Sequence, residues 1–462
     1  MTVTDAPILT INGQAVANSF SSDLTAPIAL DELKLSWGRS SIWEQARATT
    51  LVATVLDYTG ALAAAALTGQ TVTVQRADGK YIFRGNLDDP KIRYAKVMLN
   101  GVRTSVWKIS ISAADKLAAA GQVIPQGPGT DPTTVAQYGV GYWPSQSIAD
   151  RITSLLAAGA SAIVSGITGY SQSYTGSTTS MCASRPFSDG WSLLQFLEGI
   201  YSQASPLRIP VYRPDTDQID GISPTNPAPL TLVYTGGKLA ITLNSYDGAT
   251  LIPALVIPAS DVHAESYQAE QTLNESITEV QVSAPIGATT PASHESLVET
   301  AAVVTGQPIK RAYKVDVDVI SQSGATAPHR QLLTALTAVA LGHRGKLRWP
   351  RVTLDWSKRT YSETVADKLI TTTQPPQAVY FPGAVFTQVS TKGAIQSVIG
   401  GSLSYSADSQ AWKHIMTLAP AGYAATDLLL SQLVTTTTPK IIDYHDSITL
   451  ADLGQIQQGV TA

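Results

Sequence analysis

Cysteine is almost absent. Cys182 stands alone among 462 residues, and a disulfide framework or a cysteine-based zinc site each needs at least two thiols, so both are excluded. Stability must come from packing. Charge is scarce as well: Asp, Glu, Lys and Arg make up 14% of the chain, against about 25% in an ordinary soluble protein. Hydrophobic residues supply 44%, and the remaining polarity comes largely from Ser, Thr, Gln and Asn. That balance fits a protein whose surface is mostly covered by neighbours, or one working outside the cytosol. The formal charge of −4 is spread along the chain without the basic stripe that neutralises phosphates, so sequence-specific nucleic-acid binding is not expected.

Long apolar runs are missing too. The longest, Gly60 to Gly69, falls far below the ~20 residues that span a bilayer, so no membrane span is expected. The opening "MTVTDAPILTINGQ" lacks the basic start and unbroken apolar centre of a secretion signal, and export through a secretion pore is not expected.

Catalytic patterns are equally thin. The six histidines, His263, His294, His329, His343, His414 and His445, show no ligand spacing and read as surface or interface residues. His294-Glu295 begins like a metalloprotease helix, but Val298 occupies the place of the second His, so two ligands cannot share a helical face. There is no Gly-x-Ser-x-Gly elbow, phosphate-binding loop or dinucleotide fingerprint. Asp215, Asp217 and Asp220 in "PDTDQIDG" offer hard oxygen ligands for calcium, yet their spacing departs from an EF-hand loop and suits a solvated turn. Glu198 and Glu279 lie in helix and strand text that reads as structural. The basic run Gly342 to Arg351 fits a helix end complementing its dipole, or a face toward an anionic partner. No catalytic residue, metal or cofactor is expected.

What the chain does contain is β-pattern. From Ala6 to Ser112 it is a succession of short β-type runs separated by turn signals, among them Asn12-Gly13, Asp78-Gly79 and Asn100-Gly101, which tolerate positive φ and mark hairpins. In 51–56, Leu51, Ala53 and Val55 fall on one face and Val52, Thr54 and Leu56 on the other, so both faces are expected to be at least partly covered. A short helix is expected over 113–121, a Pro/Gly-rich connector over 122–142, and helices over 147–158 and 189–203. The polar stretch 165–184 reads as an exposed loop or a flexible hairpin. A second β region starts near Tyr267 and is interrupted by a helix over 328–342. The expected fold is therefore mainly β with an α+β insertion. It comprises two related β-barrel or sandwich modules, 1–121 and 261–421, each with a packed helix, a mixed domain, 122–260, and an extended tail, 422–462, docking on a partner. No fixed-period repeat accompanies the duplication, which makes solenoids and propellers poor fits.

Several segments carry a resemblance. The block Trp37-Gly38-Arg39-Ser40-Ser41, the strand ending at Asp57, "LTGQTVTV" (67–74), "IFRGNLDD" (82–89), "VWKISISAADKLAA" (106–119) and "AWKHIMTLAPA" (411–421) are similar to the minor tail proteins of siphophages infecting actinobacteria. The resemblance spans about 420 residues, although 122–260 matches only in type. It implies a baseplate or tail-tip hub: a homotrimer whose two barrels per chain make a pseudo-hexameric ring under the tail tube. The implied partners are further copies of the chain, the tail tube, distal tail and tip or fibre proteins, and viral DNA passing through the lumen. The implied location is the virion, assembled in the host cytoplasm.

In that reading Trp37, Arg39 and Trp43 form an interface between a barrel and its neighbour, aromatic and Arg side chains being enriched at interface centres. The alternative is a loop capping its own barrel. Two further functions compete. A hexameric distal tail ring would need one β module per chain, and a carbohydrate-binding tip module would use Tyr142 and Trp143, or the Tyr170/Tyr174 loop, to stack on sugars.

Overall fold

A computed structural model describes residues 6–17, 28–45, 47–65, 67–99, 101–171, 180–222, 227–235, 238–247, 250–253, 255–256, 262, 277–286, 296–302, 311–320, 327–343, 351–355, 378–380, 395–420 and 434–435. The fold is mainly β, with helices concentrated in the insertion.

The first region holds β1 (Ile8–Ile11), β2 (Gln14–Val16), β3 (Ile28–Gly38), β4 (Arg47–Asp57), β5 (Thr71–Gln75), β6 (Tyr81–Leu87), β7 (Lys91–Leu99) and β8 (Val102–Asp115). Its turn chemistry does what the residues imply. Asn12 and Gly13, at φ 47° and 77°, close a two-residue hairpin in which Ile11 faces Gln14. In β4, Leu51, Ala53 and Val55 point into the core as expected. Val52 on the opposite face is exposed, so only one side of that stretch is fully covered.

Asp57 ends β4 by folding the chain over itself. Its buried carboxylate accepts from the amides of Thr59, Gly60, Leu62 and Ala63 and from the Thr59 hydroxyl, at 2.8–3.0 Å. A buried carboxylate is tolerated where donors surround it this fully. Asp115 does a similar job at the end of β8. It caps α1 (Lys116–Gln122) through the Leu117 amide and accepts from the Thr49 amide on β4, both at 2.9 Å.

The insertion continues with α2 (Pro132–Tyr138), β9 (Gln146–Ser147), α3 (Ile148–Ala157), β10 (Gly166–Thr168), β11 (Met181–Cys182), α4 (Leu193–Ala204), β12 (Ile209–Arg213) and β13 (Gln218–Ile222). Helix α2 falls inside the expected connector. Asp131 accepts from the Thr134 amide and Pro132 occupies the first turn, the arrangement that starts a helix. Ser192 caps α4 in a reciprocal box with Gln195. Trp143, Ile148, Ile152, Leu155, Leu193, Phe196, Leu197, Ile200 and Tyr201 build a core of their own.

The remaining strands are β14 (Pro227–Thr235), β15 (Lys238–Asp247), β16 (Thr250–Pro253), β17 (Leu255–Val256), β18 (Glu279–Pro285), β19 (Ser296–Ala302), β20 (Ala312–Asp316), β21 (Arg351–Asp355), β22 (Ala378–Tyr380), β23 (Ile395–Ser406), β24 (Ala411–Pro420) and β25 (Val434–Thr435). Helix α5 (Pro328–His343) lies between β20 and β21. Its Leu332, Leu336 and Val339 share a third core with Val280 and Val282 of β18 and Val315 of β20. Among the described residues no helix is long and apolar enough to cross a membrane.

One finding redraws the expected division. The sheet order β22-β23-β3-β4-β8-β6-β5-β1-β2, with β24 paired to β23, makes strands of the first and last β regions direct neighbours. Val352, Leu354, Val398, Leu403, Trp412, Met416 and Leu418 share one core with Leu9, Leu35, Leu51 and Ile111. The boundaries at 121 and 261 therefore do not separate these two sets of strands. Nothing in the local pattern announces a pairing between residues more than 350 positions apart.

Candidate interaction site

The block Trp37 to Glu44 sits where the first and third cores meet. β3 and β23 pair from Gly38 opposite Gly400 to Glu32 opposite Ser406. Both strands are irregular at that level, with register shifts at Ser36/Gly38 against β4 and at Val398/Gly400 against β24. An extra residue reverses side-chain parity. Val398 and Leu403 consequently both enter the first core, while Ile399 points into the third.

Arg39 is the spoke of this turn. Buried at 5% exposure, it donates through Nη1 to the carbonyls of Ile42 (2.8 Å) and Glu44 (3.1 Å) and through Nη2 to Leu207 (3.4 Å). Ile42 lies in the third core, Trp43 packs on the Tyr313 ring with centroids 4.9 Å apart, and Trp37 lies 6.4 Å from the His414 ring. The charged, aromatic turn therefore acts within its own chain, joining β3, β23, the insertion and the β18–β20 sheet.

His414 is fully buried on β24, and His329 is buried too. Both therefore depart from the expected surface placement, because their positions on β24 and α5 face packed cores. The side chains of the other four histidines lie outside the described residues. Desolvation lowers the His414 pKa from 6.5 to about 3. The unfolded chain protonates this ring near pH 6.5 and the folded chain does so only near pH 3, so acidification through that window destabilises the fold.

Asp115 works in the opposite sense. Burial raises its pKa from 3.8 to about 6, against the opposing hydrogen bonds from Thr49 and Leu117. The folded form therefore takes up a proton first, and stability is gained as pH falls from about 6 to 3.8. Each group contributes about 1.4 kcal/mol per pH unit inside its window, and the two offset each other between about pH 6 and 4. His414→Leu removes the opposing half. That variant is expected to gain roughly 3 kcal/mol relative to the parent between pH 7 and 4 in urea titrations; parallel pH profiles would rule out this coupling.

A second cluster ties the insertion to the segment after β20. Asp318, buried, accepts from Arg185 Nε at 2.7 Å and from Arg151 Nη1 at 3.2 Å. Arg151 also donates to the carbonyls of Pro144 and Ala183 at 3.0 and 2.8 Å. Arg185 stacks 3.5 Å over the Trp191 ring. Cys182 is buried beside this cluster, and burial pushes its thiol pKa up to about 12.

Tyr142 and Trp143 belong to the interior as well, at 4% and 1% exposure. Trp143 packs against Phe196, and Tyr142 stacks on Tyr138. Their faces are covered by protein, so the sugar-stacking expectation does not carry to these two rings. Tyr174 lies outside the described residues, and Tyr170 packs partly against the second core.

The three aspartates of the expected turn diverge rather than converge. Asp217 pairs with Lys116 at 2.6 Å and accepts from the Tyr212 hydroxyl at 2.6 Å, while Asp220 pairs with Arg213 at 2.5 Å and accepts from Thr168. Burial works against the Asp217 charge, but these hydrogen bonds prevail and lower its pKa. Asp215 is exposed. Among the described residues no group of three or more acidic, His or Cys side chains could hold a metal ion. Glu198 is partly buried, which raises its pKa, and Glu279 accepts from Gln281. Most of the basic run, 344–350, lies outside the described residues.

Sequence reasoning passed over one surface. The hairpin β7–β8 exposes Ile92, Tyr94, Met98, Val102 and Trp107, with Tyr94 and Met98 at 61% and 66% exposure. The stretch 91–108 also carries five cations and no acid. That charge asymmetry was the available signal, but both strands read as ordinary members of a barrel.

No family model matches the chain, and no curated protein does. Solved structures similar to it include the 43 kDa tail protein of prophage MuSo2 from Shewanella oneidensis. It is 9% identical, with a TM-score of 0.49, over 90% of this chain and 98% of that one. A tail protein from Neisseria meningitidis MC58 is 11% identical, with a TM-score of 0.49, over 91% of this chain and 98% of that one. At such identity and score, the likeness assigns no residue a role.

Proposed function

We propose that the protein is a structural subunit of a phage tail tip: a ring-forming hub that joins the tail tube to distal tip or fibre proteins around a lumen for DNA. One observation carries the reading. The segments resembling siphophage minor tail proteins fall on β24, β3, β4, β5, β6 and β8, which neighbour one another through β23 in a single sheet around one core. The resemblance thus belongs to one continuous structural unit rather than to scattered fragments. The low charge fraction agrees with a surface shared among subunits. The acidic groups that looked most like chemistry, Asp217 and Asp220, are engaged by cations of their own chain.

Three copies per ring is the stoichiometry that two β modules per chain would supply. The shared first core favours a second reading, a hexameric distal tail ring, in which each chain contributes one β unit. The mass of the purified chain in solution tests both readings.

A further inference from the structure

The β7–β8 ribbon stands out from the sheet as a surface built for a strand. β8 is paired on both sides, whereas β7 pairs only with β8 among the described residues, leaving the outer edge of a nine-residue strand open. An open, apolar edge invites a further strand. Cross-strand register sets Tyr94 opposite Trp107 and Met98 opposite Arg103. One face of the ribbon therefore combines apolar side chains with Lys96 and Arg103.

The same edge is a poor partner for itself. Two β7 strands laid edge to edge would gather Lys91, Arg93 and Lys96 of both copies in one ribbon with no acid among them, and crowded like charges weaken a sheet. An occupant that combines acidic with apolar residues offsets that charge. The C-terminal sequence "IIDYHDSITLADL", residues 441–453, contains Asp443, Asp446 and Asp452 and no Lys or Arg. In an extended conformation Ile442, Tyr444, Ile448 and Leu450 share a side with Asp446 and Asp452. Those are the residue types that complement the ribbon's face.

We infer that residues 441–453 of a second copy add as a strand to the β7 edge. The source is taken as a second copy because β25 holds the chain just before this segment against β14, in a different sheet from β7. A neighbouring copy's segment has no such tether. The inference rests on the ring reading for the presence of that neighbour.

Disulfide trapping tests it in the full chain, because Cys182 is the single native cysteine and is buried. Tyr94→Cys and Ile448→Cys proteins are prepared separately, mixed and mildly oxidised. The inference expects a covalent band of two chains that requires both variants. Adding Arg93→Glu, Lys96→Glu and Arg103→Glu to the Tyr94→Cys chain should lower its yield about tenfold at low salt. No band in the mixture, or a yield unchanged by charge reversal, overturns the inference. Light scattering on the same samples separates the failures: an oligomer without the cross-link leaves the ring reading standing, and a monomer removes both.

Discussion

Asp318→Ala is expected to cost about 3–5 kcal/mol of unfolding free energy, because it removes one partner of a buried ion cluster and strands the other. Arg151 is fully buried at the side chain, and its charge is balanced by Asp318. Two carbonyls would still accept from it, but neither neutralises it. Arg185 is partly exposed and can turn toward solvent, so the penalty falls on Arg151. The loss should appear in urea denaturation and as faster amide exchange at Ala183, whose N–H donates to the Asp318 carbonyl. Replacing both partners, Arg151→Met with Asp318→Leu, should recover much of the stability, because an apolar pair carries no stranded charge. A loss below about 1 kcal/mol in Asp318→Ala would mean that the cluster does not hold the insertion to the segment after β20.

Gly38→Ala is expected to be the most disruptive substitution in the sheet. Gly38 has φ +78°, and a Cβ there would lie 2.4 Å from the Gly400 Cα and from the Ile399 carbonyl oxygen. Neither backbone atom can move without opening the β3–β23 pairing. Gly13 offers a control with a similar φ of +77° and nothing within 4 Å of its added Cβ. Gly13→Ala should therefore cost only the left-handed strain, about 1–2 kcal/mol. Gly38→Ala should cost at least about 2 kcal/mol more, or abolish soluble expression. Equal losses in the two variants, read from urea midpoints, would show that the close approach at the seam contributes nothing.

Much of this fold was legible because its signals are local. Asn12-Gly13 and Asp78-Gly79 mark hairpins through backbone chemistry, and the alternation of Leu51, Ala53 and Val55 marks a buried face through a two-residue period. The helical stripe around Leu197 and Ile200 did the same at a period of 3.6. The Pro-Gly text around 122–142 hid α2, although Asp131-Pro132 carried its start signal. What stayed illegible was long-range. The pairing of β3 with β23 depends on glycines at 38 and 400 that read in isolation as ordinary turn or strand-breaking residues. Arg39 looked like an interface residue because Arg and Trp are common at interfaces; burial and three carbonyl partners are properties of the folded chain. Tyr142 and Trp143 looked like sugar platforms for the same reason. The exposed ribbon was the opposite case, since its alternation resembles that of a buried strand and only its unbroken positive charge set it apart.

The central claim is that the chain closes into a ring, and its mass in solution measures this most directly. Light scattering of the purified 462-residue chain, at several concentrations, should give about three times the 48.7 kDa of one chain. Six copies would correct the account to the distal-tail ring, and a mass of one chain at every concentration would contradict it.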